Sequence, residues 1–589
     1  MKKIFLLAGV SIVLSFSLAS NIFAINNPYG DLTNNNIVEM NDLRLFAALW
    51  LVDDCNLTTE GIDLNSDCSV NFYEFSQFAN NWKIKSNPLN LMVPPMAYDE
   101  NTIILIWSKP ADYSQVTDYR VYQNGVALGL SGRFDTTRAK LYYNVTGLTA
   151  NTTYNFTVKS LNLSCTEIGT SNICTTTTAA TPAIFYPETY GAAANGTTND
   201  TAAIKAAINA CTVGGKVHLR TGKTFLSGAI YLKSNMTLQI DGTILGSSAV
   251  ADYNLVSGKY TSLINASNGS NIRICGSGCI NGCQGYSASN PHTITGSGIT
   301  TLGTNQAKTP SGDGSRSNLV SASSVTNIYI GGRPGGGSLV CVYPSMHTIT
   351  PSQCNGVTIV DVNCDTFDIH NADGIDLSSC DTAYIFNSKF DTGDDCIDMG
   401  CGIGKEGVDA NLPDQNIRIF DCSTDRGHGG YVIGSHTAAW VQDTLVEDCF
   451  FKNTDVSNGI GIRMKTSLYT GGGARRITCR DIRINGPSQQ GILLDSTYTF
   501  NGTTHAGPGQ FSGNTFKNIT IASTGESIKI NGLSGTPDTS NIFINITGNK
   551  KANLNYCTNS SFTNVTVTGW TIGSGCSGNT SSGSPGCPF

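Results

Sequence analysis

Ala383-Tyr384-Ile385-Phe386, Asn416-Ile417-Arg418-Ile419-Phe420 and Leu445-Val446-Glu447-Asp448-Cys449-Phe450-Phe451 decide the fold. In each, apolar side chains recur at every second position, the period of a strand with one buried face. Segments of the same kind occur at 327–330, 357–362, 476–484, 518–521, 542–546 and 564–567. Their starts lie roughly 20 to 30 residues apart, the spacing of solenoid repeats. Asn, Ser, Thr, Cys and Gly crowd the corners between them, where turns are needed. A parallel β-helix fits this pattern, because each coil can bury its inward side chains against the next. A stacked array of β-sandwiches is the alternative.

The same domain opens at Ile184 and extends through 183–589. Its first feature, 201–211, is amphipathic, with Ala203, Ile204, Ala207 and Ile208 on one helical face. Such a helix suits the open end of a coil stack, where it covers an exposed sheet edge. Residues 224–238 then alternate like a strand pair. Upstream, 87–182 holds short alternating strands at 102–107, 118–123 and 153–159, with Asn124-Gly125 as a hairpin turn. Trp107 and the later Tyr154-Asn155-Phe156-Thr157-Val158 resemble a fibronectin type III sandwich, in which Tyr154 would be the corner tyrosine. No catalytic constellation is visible there, so a spacer is expected in preference to a carbohydrate-binding module.

Residues 25–86 contain a repeat with an offset of 32 residues, at which Trp50 and Trp82 also recur. Asp31, Thr33, Asn35 and Asp42 in the first copy align with Asp63, Asn65, Asp67 and Glu74 in the second. Oxygen-bearing side chains at this loop spacing suit a calcium ion, and the apolar runs 43–51 and 75–82 would be the helices that follow. The pattern resembles dockerin modules, which pair two calcium loops with helices and bind a cohesin partner on a scaffold protein. It departs at the loop position usually held by Gly, where Asn36 and Cys68 stand. Asn tolerates a left-handed backbone there better than Cys does. A Cys55–Cys68 disulfide would partly compensate, and a decayed repeat that folds without metal is the competing expectation. Residues 1–24 read as a secretory signal, with Lys2 and Lys3 before an apolar core at 4–18 and Ala19 or Ala24 for cleavage. The expected product is soluble and secreted or held in a cell-surface complex, with no membrane contact after cleavage.

Charged residues make up 13% of the 589 positions and the net charge is -7, with no basic stripe, so nucleic acid is not an expected partner. The 64 glycines suit turn-rich β structure. Twenty cysteines agree with an oxidising destination. Cys275, Cys279 and Cys283 lack a nearby His to complete a zinc set, so disulfides are expected, with some thiols left buried in the scaffold.

The chemistry gathers between Asn371 and Lys465. Asn371-Ala372-Asp373, Gly393-Asp394-Asp395, Gly427-His428-Gly429 and Arg463-Met464-Lys465 stand in this order where the strand pattern breaks. Asp394 follows Asp373 by 21 residues, close to one coil, so their carboxyls can share a face in adjacent layers ~4.8 Å apart. Asp394 and Asp395 would point to opposite sides of a regular strand; Gly393 permits an unusual backbone path that turns both outward. Crowded carboxylates raise at least one pKa, and a protonated acid beside an ionised one is what glycosidic hydrolysis requires. His428 could tune the acid. Arg463 and Lys465, two apart on one side of a strand, suit a sugar that carries a carboxylate. Calcium is a competing use for clustered Asp.

The four signatures together resemble glycoside hydrolase family 28, the polygalacturonases, over roughly 184 to the end. The opening Tyr190-Gly191-Ala192 and Asp200-Thr201-Ala202-Ala203-Ile204 is also similar to that family. Ala372 and Met464 depart from it at spacer positions. The resemblance implies an all-β chain: a right-handed parallel β-helix catalytic domain, preceded by the β-sandwich and the small α-helical calcium-loop module. It implies inverting hydrolysis of α-1,4-galacturonosyl bonds in pectin without a catalytic cofactor, any calcium belonging to the repeat at 31–74. Asp394 would be the general acid, and Asp373 and Asp395 would hold and deprotonate water. His428 would support the protonation of Asp394. Asn371, Arg463 and Lys465 would bind substrate, as would Tyr498 from a later coil. Phe390-Asp391-Thr392-Gly393-Asp394-Asp395-Cys396, Gly434-Ser435-His436-Thr437-Ala438-Ala439-Trp440 and Gly471-Gly472-Gly473-Ala474-Arg475 look like bacterial exo-poly-α-galacturonosidases. These release galacturonate or its dimer from chain ends, and His436 joins the expected substrate contacts. The extra loop at 400–413 is a candidate for shaping the cleft. An endo-acting enzyme, a hydrolase of rhamnogalacturonan or xylogalacturonan, a calcium-dependent lyase and a β-helical adhesin are the rival readings.

Overall fold

The computed structural model describes residues 90–589 apart from 136–137, 283–285, 288–289, 295–315, 334, 368, 370 and 453–457. The signal segment, the calcium-loop repeat with its eight candidate ligands, and Cys55 and Cys68 lie outside the described residues. The chain divides into two compact units, one including Ile104–Val145 and Asn151–Thr178, the other including Ala179–Phe589.

In the first unit, antiparallel strands Asp118–Gln123 and Thr153–Leu161 form the middle of a five-stranded sheet. Asn124 and Gly125 both have positive φ, 50° and 82°, the backbone of a two-residue type I′ turn. Trp107, Tyr119, Val121, Phe156 and Val158 fill the core, with the Trp107 and Tyr119 rings 5.5 Å apart. Tyr154 is buried as expected of a corner position.

The second unit is a right-handed parallel β-helix. Among the described residues its coils contribute to a 26-stranded and a 12-stranded sheet, the in-register pairings within both being parallel. This excludes the stacked-sandwich alternative, whose strands would pair antiparallel. Ile264, Val320, Ile349, Ile375, Ile397, Tyr431, Ile462, Ile492 and Ile528 follow one another in register down the inner face of the 12-stranded sheet. Burying each aliphatic side chain contributes about 1.5–3 kcal/mol, so the ladder is a main source of stability. Helix Thr201–Ala210 buries Ala203, Ile204, Ala207 and Ile208, the last three within the core of the coils, as its amphipathic pattern requires.

Two expectations change. The nine strand segments read from sequence all fall in the 26-stranded sheet; the 12-stranded sheet was not anticipated. Its strands Ile375–Ser378 and Ile397–Gly400 hold four residues each and lie beside Gly and Asp turns, too short to show a period. Among the described residues no disulfide forms, and all the described cysteines are free thiols; Cys55, Cys68 and Cys283 lie outside them. Most are inward-facing and buried, and Cys341 stands in register with Cys364 as part of the packed core. There the thiol acts as a small apolar side chain.

Candidate active site

The 12-stranded sheet positions the site. Ile375 pairs with Ile397, Ile397 with Tyr431 and Tyr431 with Ile462, so the turns that precede the first three strands stack in consecutive coils. Those turns carry Asp373, then Asp394 and Asp395, then His428. The fourth strand, Ile460–Lys465, carries Arg463 and Lys465. The coil spacing inferred from sequence therefore holds, and one oxygen from each of Asp373, Asp394 and Asp395 lies within 4.8 Å of the others.

Gly393 acts differently from the expected role. Its φ lies outside the left-handed region, and what demands Gly is space. A Cβ there would sit 1.9 Å from the Ile369 carbonyl oxygen. The bend this permits turns Asp394 and Asp395 into one cluster with different partners. Asp394 meets His428 Nδ1 at 2.9 Å and accepts from Asn371 Nδ2 at 3.1 Å. Asn371, left-handed at φ 58°, in turn accepts from Arg316 at 2.8 Å. Asp395 accepts from Lys465 Nζ at 2.6 Å, with Arg463 at 3.4 Å. The cations Arg463 and Lys465 each lie 5.6 Å from the Tyr498 ring. Helix Gly404–Ala410 occupies the extra loop at 400–413.

The model of glycosyl hydrolases family 28 matches residues 211–569, and that of the fibronectin type III domain matches 86–176. The exo-poly-alpha-D-galacturonosidase of Dickeya chrysanthemi is 31% identical over 564 residues, covering 83% of this chain and 91% of that protein. The chain belongs to glycosyl hydrolases family 28. The family 28 exopolygalacturonase of Yersinia enterocolitica superposes with a TM-score of 0.72 at 28% identity, covering 85% of this chain and 97% of that one. The hyperthermoactive exopolygalacturonase of Thermotoga maritima, at 20% identity and a TM-score of 0.51, shares the fold over 63% of this chain and 87% of its own.

Within this family 28 groove the protons are arranged unevenly. Burial pushes the Asp394 carboxyl up, but the His428 hydrogen bond and charge, with Lys465 and Asn371, overcome it and hold the pKa down at about 2. His428 is raised in return, chiefly by its bond to Asp394. Asp373 is raised, first by burial and then by the charges of Asp394 and Asp395, against the pull of His347. Of the three carboxyls it is Asp373 that is raised, and burial rather than crowding is the larger cause. His436 is lowered first by burial and then by the charges of Lys465 and His347.

Sequence reasoning missed His347, Arg316, Asp398 and any role for Asp376. His347 Nδ1 lies 3.0 Å from Asp373 and 3.5 Å from Asp376. Its only sequence signal was position: the Thr348 amide donates to the Asp373 carbonyl, one coil on. Asp376 and Asp398 are register partners, both raised well above the usual range, first by burial. Nitrogen and oxygen atoms of His347, Asp373 and Asp376 converge within 4.8 Å, as do the three catalytic-motif carboxyls, and either set could hold a cation. Among the described residues no helix is long and apolar enough to cross a membrane.

Proposed function

We propose that this family 28 hydrolase cleaves the α-1,4-galacturonosyl bonds of polygalacturonate from chain ends, releasing galacturonate or digalacturonate. The observation that carries the reading is the cluster of three carboxyls within 4.8 Å, flanked by His428 and by the cations Arg463 and Lys465. Likeness over most of its length to two enzymes named as exo-acting supports the chain-end preference. Asp394 is the general acid: its carboxyl and His428 hold one proton between them, available to the leaving oxygen when the bond breaks. Asp395, ion-paired with Lys465, takes the proton of the attacking water, and Asp373 orients that water. Arg463 and Lys465, together with Asn371, Tyr498 and His436, line the sugar-binding side, where a fork and a point charge suit carboxylates.

The carboxyl spacing is shorter than the roughly 6.5–9.5 Å typical of inverting pairs, so inversion rests on the family resemblance alone. Proton NMR of the first-formed anomer tests it: the β-anomer supports inversion and the α-anomer refutes it. Product analysis early in polygalacturonate digestion tests the main reading. Monomer or dimer alone supports it, a broad ladder of oligomers would mean endo action, and ultraviolet-absorbing unsaturated ends would mean a lyase. Binding without turnover would leave an adhesin. Export by residues 1–24 and attachment through a calcium-loaded repeat at 31–74 to a cohesin-bearing scaffold complete the proposal. Capture by a cohesin that persists in chelator would refute the calcium part.

A further inference from the structure

The register of the 12-stranded sheet sets three polar residues in one column. Ile349 pairs with Ile375, so two residues earlier His347 stands beside Asp373 in the adjacent coil. Ile375 pairs with Ile397, so Asp373 in turn stands beside Asp395. The backbone holds His347 in this column from both sides. Its carbonyl accepts from the Leu319 amide at 3.0 Å, and the next amide, of Thr348, donates to the Asp373 carbonyl at 2.9 Å. The imidazole therefore sits one coil, ~4.8 Å, before the catalytic carboxyls.

Its Nδ1 lies 3.0 Å from Asp373 Oδ1 and 3.5 Å from Asp376 Oδ2. All three atoms are buried, and among the described residues none has a hydrogen-bond partner outside the trio. Two carboxyl oxygens facing one ring nitrogen decide its tautomer. An unprotonated Nδ1 would set its lone pair against both of them, so Nδ1 carries the proton and donates. The shorter contact makes Asp373 the acceptor. With the Asp373 side chain only 9% exposed, such a contact is stronger than it would be in water.

Each of the three carboxyls then has a nitrogen of its own. His428 meets Asp394 at 2.9 Å and Lys465 meets Asp395 at 2.6 Å. Asp394 has a second anchor in Asn371, and Asp395 a second in Arg463. Among the described residues His347 is the one nitrogen that meets the Asp373 side chain. A carboxylate with one anchor depends on it for where its second oxygen points. That oxygen must meet the attacking water together with Asp395, one coil away.

We propose that His347 is a positioning residue of the hydrolytic site: its Nδ1–H engages Asp373 Oδ1 and so aims the other Asp373 oxygen at the attacking water. The proposal rests on the polygalacturonate activity inferred above and adds to it a residue outside the four signatures. No proton leaves the imidazole in the reaction; its part is to fix a geometry. Steady-state kinetics of the wild-type chain, His347→Leu and His347→Asn on polygalacturonate test it. His347→Leu lowers kcat about 10- to 100-fold and leaves KM within about threefold, since the water is misplaced while the sugar contacts stay. His347→Asn recovers most of the loss, because its amide nitrogen falls where Nδ1 was and donates to the same oxygen. A merely structural histidine would show neither the split between kcat and KM nor the rescue. If His347→Leu melts below the assay temperature, His347→Phe, which keeps a ring and lacks the donor, is measured in its place. Unchanged kcat in the Leu or Phe variant overturns the inference, as does an Asn variant no better than Leu. A raised KM at unchanged kcat would make His347 a sugar contact and also overturns it. Wild-type activity lost in chelator and regained with a divalent cation would make His347 a metal ligand, with the same consequence. These outcomes leave the proposed function standing, whereas a wild-type chain that releases no galacturonate overturns both together.

Discussion

Asp394 and His428, 2.9 Å apart, shift each other in opposite directions, and the pair fixes when the site is ready to act. Asp394 is depressed from 3.8 to about 2, so its stabilising contribution is present above pH 3.8 and is lost as pH falls toward about 2. His428 is raised above 6.5, so its contribution is complete below that pH and disappears as pH rises through the raised value. The charged pair is thus intact from about pH 4 to 6.5. The alkaline limb of kcat/KM is expected to report His428 losing its proton, with an apparent pKa above 6.5. In His428→Asn that limb disappears or moves by more than about one unit; a pH–rate profile identical to wild type would count against the pairing. Asp394→Asn is expected to cut kcat by roughly three to four orders of magnitude while substrate still binds, because an amide cannot take the proton shared with His428 and pass it to the leaving oxygen. Calorimetric binding alongside turnover checks this, and near-normal kcat would remove Asp394 from the acid's role.

At the scale of the element, the bend after strand Lys389–Thr392 is what brings two neighbouring aspartates into one carboxylate cluster with Asp373. Gly393 is demanded by the Ile369 carbonyl oxygen, 1.9 Å from where a Cβ would lie. Gly393→Ala is therefore expected to lose about 1–3 kcal/mol of stability and most of its activity, since the backbone can yield only by displacing Asp394 and Asp395. Thermal unfolding and residual turnover measure the two losses; a fully active, equally stable Ala variant would show that the bend tolerates a side chain. The same scale explains what was legible. Strands such as Asp414–Phe420 and Gly473–Asn485 are long enough to display a period of two, and all of these lie on the sheet without the site. The strands Ile375–Ser378 and Ile397–Gly400 hold four residues each, and their flanking Gly and Asp residues disguise them as turns. The Gly-Asp-Asp and Gly-His-Gly signatures stood out because they interrupt a pattern, although the sheet they interrupt was invisible.

Over the whole molecule, coils transmit burial to groups far from the site. Asp538 is fully buried; one carboxyl oxygen accepts from Ser496 at 2.8 Å and from the Phe511 amide at 3.0 Å, tying together successive coils. Burial raises its pKa to about 7 and that of Asp414 to about 8. A carboxyl raised on folding favours the native state most below its unfolded pKa, near 3.8, and that advantage is lost as pH rises through the folded value. The melting temperature of the wild-type chain is expected to fall between pH 5 and 8 more steeply than that of Asp538→Asn, whose amide keeps an acceptor and never ionises. Parallel curves from calorimetry at matched pH would contradict a buried neutral Asp538. Because each coil contacts mainly its neighbours, this dependence belongs to the stack as a whole.

The sequence alone determined the coil stack, the amphipathic helix at its start and the set of groups for acid chemistry, because periodicity and spacing are local properties that survive without coordinates. It also determined that Asp373 and the Asp394-Asp395 pair fall one coil apart. Only the tertiary structure decided that the second, shorter-stranded sheet carries the site, that Asp394 is depressed while Asp373 is raised, and that His347 and Arg316 join the cluster. Arg316 precedes its partner Asn371 by 55 residues, and no pattern in the chain links them. Charge and burial depend on distance through space, which folding sets and sequence spacing does not record.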